Sequence, residues 1–204
     1  MARVFLMKKA KGAMSIKLVL ILVGLLPMIL TASAVTFVAS MIVVENLETN
    51  IHEELMVASQ GLKKFYENLI ETSAGFPPRA YDYVDSMKAM GVDLTVFKEN
   101  IRYITSITDD KGARIENTKA SDTVWEIVKD GRDYYDDNVI INGAKYHVYY
   151  MPLEYNDKVI GMTFAGKSAE IVDEAEWAVT KHIVWISALA ILLFLLFSIM
   201  ILGG

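Results

Sequence analysis

Tyr134-Tyr135-Asp136-Asp137-Asn138-Val139-Ile140-Ile141-Asn142-Gly143-Ala144-Lys145-Tyr146-His147-Val148-Tyr149-Tyr150-Met151-Pro152-Leu153 reads as a β-hairpin. Two β-rich arms flank Asn142-Gly143, a pair that accepts the left-handed backbone of a tight hairpin turn. Strand alternation puts Tyr146, Val148 and Tyr150 on one face and Lys145, His147, Tyr149 and Met151 on the other. Aromatic rings with hydroxyl tips suit a pocket that is apolar yet orients a ligand. They suit ordinary core packing as well.

Downstream, Asn156-Asp157 ends the second arm and Val159–Ala165 forms a further strand. Ser168 then caps a helix that runs through Val172, Ala175 and Val179. Upstream, Ser121 caps a short helix through Val124, Ile127 and Val128, ending near Asp130-Gly131. Ile101–Thr108 and Ala113–Thr118 read as strands around the turn Asp109-Asp110-Lys111-Gly112. Leu94–Ile101 reads as a short helix, and Arg79–Met90 as another, closed by Gly91. Gly75-Phe76-Pro77-Pro78 is a break.

Before the break, Glu45–Ser73 is a long helix. Its apolar stripe is Leu47, Ile51, Leu55, Ala58, Leu62, Phe65 and Leu69. The stripe fits a core-facing helix or a coiled-coil seam. Long helix, short helices, antiparallel sheet and exit helix make an α+β fold, with helices covering one face of the sheet.

Charge and hydropathy place this domain between two apolar runs. The chain has 204 residues, 53% hydrophobic and 22% charged, and a mean hydropathy of +0.33. These values require apolar and charged residues to be segregated. Residues 18–44 and 183–202 carry no Asp, Glu, Lys or Arg. Each run is long enough to cross a hydrocarbon core of about 30 Å. Pro27 can kink the first span without ending it.

Arg3, Lys8, Lys9, Lys11 and Lys17 precede the first run with no acid among them. All 25 acidic residues lie within 45–182. Basic flanks stay in the cytoplasm. The expected order is a cytoplasmic basic tail at 1–17, a transmembrane helix at 18–44, an extracytoplasmic domain at 45–182, a transmembrane helix at 183–202 and a cytoplasmic end at 203–204. The protein is thus expected in the cell membrane as a two-pass protein with its domain outside. Ala32-Ser33-Ala34 also imitates a signal-peptide cleavage site, and either reading exports the domain.

Several function classes are disfavoured. The strongly acidic domain does not suit nucleic acid, which needs a basic face. The absence of cysteine removes disulfides and thiolate sites. His52, His147 and His182 lack the spacing of a helical zinc site, and no phosphate-binding glycine loop or nucleophile elbow is present. Asp109-Asp110 and Asp136-Asp137 read as solvated acids. No catalysis, metal or cofactor is expected. For ligand binding, Arg114 suits a bidentate clamp on a carboxylate, and Lys167, after Gly166, is a second cation. Surface ion pairs account for both equally well.

Gly112-Ala113-Arg114-Ile115-Glu116-Asn117-Thr118-Lys119-Ala120, the hairpin 138–153 and Val159–Lys167 together resemble single Cache domains. These are the extracytoplasmic inputs of methyl-accepting chemotaxis proteins and of some sensor kinases and cyclases. The resemblance implies a PAS-like antiparallel sheet behind a long N-terminal helix. It also implies pairing as a homodimer and a pocket for a small molecule such as an organic acid. On the matching motifs, Arg114, Thr118, Tyr146, Tyr150 and Lys167 are the ligand-binding candidates. The resemblance makes the chain the input region of a methyl-accepting chemotaxis receptor that signals through the second transmembrane helix. The alternatives are the input of a sensor kinase or cyclase, or a stand-alone membrane-tethered binding protein. Chemoreceptors continue after the second span into a HAMP linker and a methylated coiled coil, which this sequence does not contain.

Overall fold

The computed structural model describes residues 16–73 and 75–203. Most of the expected basic tail and Gly204 lie outside them. The chain divides into two compact units: Val43–Trp177, and the helical segments up to Ile42 and from Ala178 onward.

Helices α1 (Ile16–Ser73) and α4 (Ala169–Gly203) are both long and apolar enough to cross a membrane, within Val23–Ser73 and Thr180–Met200 respectively. In the helical unit, Thr31 Oγ1 donates to the Pro27 carbonyl at 2.7 Å. The Thr36 and Ser187 hydroxyls lie 3.3 Å apart, a polar contact between the two apolar helices.

The second unit is an antiparallel five-stranded sheet flanked by helices. Its elements are α2 (Tyr81–Asp85), a 3₁₀ turn (Lys88–Met90), β1 (Val92–Lys98), β2 (Ile101–Thr105), α3 (Asp122–Val128), β3 (Tyr134–Ile141), β4 (Ala144–Tyr155) and β5 (Lys158–Ser168). The strand order is β2-β1-β5-β4-β3.

The hairpin forms as expected. Asn142 and Gly143 have φ of 49° and 82°, the two positive values that a type I′ turn needs. Ser168 accepts from the Glu170 N–H at 3.3 Å and opens α4.

Several expectations change. Val92–Lys98 is a strand rather than part of a helix, because it pairs with β2 on one side and β5 on the other. Val92, Leu94 and Val96 alternate with Asp93 and Thr95 and pack in the α1-side core, while Asp93 and Thr95 bond the Ser106 and Thr105 hydroxyls. Ala113–Thr118 forms no strand; only the isolated bridges Ile101–Lys119 and Thr108–Arg114 occur there. The helix expected over Arg79–Met90 contracts to five residues and the 3₁₀ turn, with Gly91 left-handed at φ 73° as its cap. Along α1, Tyr66 and Ile70 are buried where Phe65 and Leu69 were expected. Phe65 instead stacks on Tyr83 of α2 at 4.3 Å.

Each face of the sheet has its own core. One packs Ile51, Leu55, Ala58, Leu62, Tyr66 and Ile70 of α1 against Val92, Leu94, Val96, Tyr149 and Met151. The other packs Val124 and Val128 of α3 against Phe97, Tyr146, Val148, Tyr150, Met162 and Phe164. The expected alternation of β4 therefore holds, with Tyr146, Val148 and Tyr150 facing away from α1. Helices cover both faces, not one.

Candidate functional site

A cleft of about 630 Å³ opens on the face of the sheet opposite α1. Its walls come from β2, the segment 115–124, and the β3–β4 hairpin.

Arg102 is its most unusual lining residue. Only 5% of it is exposed. Register explains how a charged side chain comes to be there. Phe97 pairs with Arg102 and Val96 with Ile104, so Tyr103 is one extra residue in β2. Simple alternation would put Arg102 on the α1 face beside Ile104. The bulge turns it to the cleft face beside Phe97, as bulges re-aim side chains elsewhere.

The guanidinium lies over the Phe97 ring, 5.1 Å from its centroid. Its Nη1 donates to Thr118 Oγ1 at 2.5 Å, while Nε is buried without a partner. Among the described residues no carboxylate forms an ion pair with it. Burial lowers its pKa, partly opposed by Tyr150 and Tyr146. A buried guanidinium without an anion is costly unless something else supplies one.

The five candidate residues separate. Thr118 and Tyr150 line the cleft with Arg102. Thr118 accepts from Arg102 and donates to the Ile115 carbonyl at 2.9 Å, which orients its oxygen. Tyr150 packs at 5.0 Å from Phe164 and 6.1 Å from Tyr134, and burial pushes its hydroxyl pKa up. Tyr146 shares this face but not the cleft lining. Its hydroxyl donates to Asp93 at 3.1 Å, and burial together with Asp93 pushes its pKa up to about 12.

Arg114 lies outside the cleft. It donates from Nη1 and Nη2 to the Asp85 carboxylate at 2.9 and 2.6 Å, and from Nη1 to the Thr105 carbonyl at 2.5 Å. Its guanidinium also covers the Tyr81 ring at 4.4 Å. This bidentate grip ties α2 to the loop after β2. Lys167 is on the α1 face, opposite His147, and donates to Glu54 of α1 at 2.6 Å.

Sequence reading missed Arg102 and took Asp136 for a solvated acid. Asp136 lines the cleft, and its two oxygens accept from the Tyr134 hydroxyl at 2.6 Å and the Asn138 N–H at 2.9 Å. The positive charge among β-branched residues at Ile101-Arg102-Tyr103-Ile104-Thr105 was the available signal.

Residues 78–178, from the break after α1 into α4, match the family model described as single cache domain 3. This segment is a single Cache domain. A Cache domain is a ligand-binding sensor fold, and here the sensor sheet carries the cleft. No curated protein matches the chain. Among solved structures, the ligand-binding domain of the Pseudomonas aeruginosa PAO1 amino acid chemoreceptor PctC, in complex with GABA, aligns at 10% identity with a TM-score of 0.33. The alignment covers 61% of this chain and 62% of that one, less than two thirds of its length.

Proposed function

We propose that the protein is a membrane-anchored sensor whose Cache domain binds a small molecule outside the cytoplasm and forms the input region of a methyl-accepting chemotaxis receptor. The observation that carries the ligand-binding reading is Arg102. It is buried, forms no ion pair among the described residues and lines a cleft of about 630 Å³. The cleft suits a ligand with an anionic group, such as an organic acid.

Two membrane-length helices flanking the domain support anchoring, and the basic tail supports a cytoplasmic N-terminus. Strand β5 passes directly into α4, with Ser168 ending one and Ala169 starting the other. A ligand that favours one arrangement of the domain shifts a two-state equilibrium, and α4 is the covalent route by which that shift reaches the membrane.

The test is a thermal-shift screen of the full chain in detergent against carboxylates, amino acids, amines and purines. A ligand specific to the folded state raises the melting temperature. A saturable hit weakened by Arg102→Gln is the expected result; a flat response over the whole panel overturns the reading. Fusing residues 1–204 to a chemoreceptor signalling module tests the receptor role, which fails if output ignores a bound ligand.

A further inference from the structure

We propose that the cleft takes a zwitterion whose carboxylate and ammonium groups are several bonds apart, with Arg102 receiving the carboxylate and Asp136 the ammonium. This deepens the ligand-sensor reading above and rests on it.

Both residues line one cleft, and both project from its sheet face. Arg102 stands opposite Phe97 and Asp136 opposite Val148, each partner fully buried. Directly opposed residues in an antiparallel pair share a face. Both also adjoin a bulge. The second register shift falls between Asp136 and Val139, opposite Val148 and Tyr146, and gives β3 one extra residue. The sheet thus breaks its ladder on both edge strands, next to the two charges.

Among the described residues Asp136 and Arg102 form no ion pair, with each other or with any other group. The other cation lining the cleft, Lys119, is already paired with Asp122 at 2.6 Å. Asp136 accepts one hydrogen bond on each oxygen and keeps lone pairs for further donors. The arginine fork keeps Nε and further donors. An anion alone answers one of these groups and leaves the other unmatched.

Topology sets the ligand's length. β2 and β3 are opposite edges of the sheet. Four inter-strand steps of about 4.8 Å separate their backbones; the side chains and the sheet's twist shorten this gap without closing it. Tyr150 lines the same cleft from β4, which lies between β2 and β3 in the strand order. An α-amino acid carries both charges on one carbon and cannot serve both ends. A chain of methylenes can, lying over the Tyr150 and Tyr134 rings, with its ammonium near an aromatic face.

The test is calorimetric titration of the full chain in nanodiscs with four matched probes: 5-aminopentanoate, pentanoate, 1-aminopentane and 2-aminopentanoate. The expected result is that 5-aminopentanoate binds at least about tenfold more tightly than the other three. In Asp136→Asn, that advantage over pentanoate should disappear, and pentanoate affinity should not fall, because a nearby like charge has been removed. Equal affinity for pentanoate and 5-aminopentanoate, or an advantage that survives Asp136→Asn, overturns the zwitterion proposal and leaves the sensor reading standing. Binding by none of the four also overturns it. In that case a saturable hit elsewhere in the broader ligand panel keeps the sensor reading, and a flat panel ends both.

Discussion

Ser59 Oγ of α1 lies 2.9 Å from Thr163 Oγ1 of β5, and both residues are fully buried. Thr163 Oγ1 also lies 3.3 Å from the Ser59 carbonyl. A polar bond thus crosses the otherwise apolar interface between the long helix and a central strand, where an unmatched hydroxyl is costly. Replacing Ser59 or Thr163 singly with an apolar residue is expected to cost about 1–3 kcal/mol, and Ser59→Ala with Thr163→Val less than the sum of the two. A double-mutant cycle by denaturant unfolding measures the coupling. Strict additivity would show that the bond contributes nothing specific.

The Arg114–Asp85 pair is expected to act on stability and not on ligand affinity. Both side chains are partly exposed, so Arg114→Ala should cost about 1 kcal/mol. Melting temperature and ligand affinity measured on the same preparation separate the two roles. Lost affinity at unchanged stability would bring Arg114 back into the site.

The same pair sets an acid limit. The hydrogen bond from Arg114 holds the Asp85 carboxyl below its ordinary value. Stability from a carboxyl with a depressed folded pKa is present above the unfolded value of about 3.9 and is lost as pH falls through the lower folded value. Asp85→Asn should therefore flatten the stability curve below pH ~4 and leave its shape near neutrality unchanged. An unaltered acid limb would contradict the assignment.

At alkaline pH the tyrosines dominate. Tyr66, Tyr134, Tyr146 and Tyr149 are each raised to about 12. A raised folded pKa gives stability that is full below the unfolded value of about 10 and is lost as pH climbs toward the folded one. Tyrosinate absorbance should show a late-titrating group of rings that merges with the early one on unfolding. Tyr146→Phe should remove part of the alkaline loss.

Gly161 is expected to tolerate no side chain. A Cβ built there would lie 2.1 Å from the Phe97 carbonyl oxygen, a backbone atom held in the β1–β5 ladder. Gly161→Ala should destabilise the domain by about 3 kcal/mol. A melting temperature within a degree of the parent would show that the two strands can separate locally without cost.

The local architecture was largely legible in the sequence because its signals were local. Asn142-Gly143 specified the hairpin turn, Ser121 the start of α3 and Ser168 the start of α4. Alternation along Tyr146–Met151 assigned both faces of β4. At β1 the alternation Val92-Asp93-Leu94-Thr95-Val96 is short and runs into Phe97-Lys98-Glu99, so pairing with β2 and β5 decided the strand. The site was legible only in part. Thr118 and Tyr150 carried motif signals that led to the cleft. Arg114 and Lys167 carried signals of the same kind and are held by Asp85 and Glu54, partners 29 and 113 positions away in the chain.

What the sequence determined by itself was the periodic and the compositional: two uncharged runs of membrane length, an acidic domain between them, and the turns and caps that divide that domain into helices and strands. Such features depend on a residue and its near neighbours. Tertiary structure decided which charges are satisfied and which face the cleft. Each of two bulges inserts one residue on an edge strand, and a one-residue shift moves a side chain from one face of a sheet to the other. Strand pairing alone fixes where those insertions fall, and so places Arg102 and Asp136 in the same cleft.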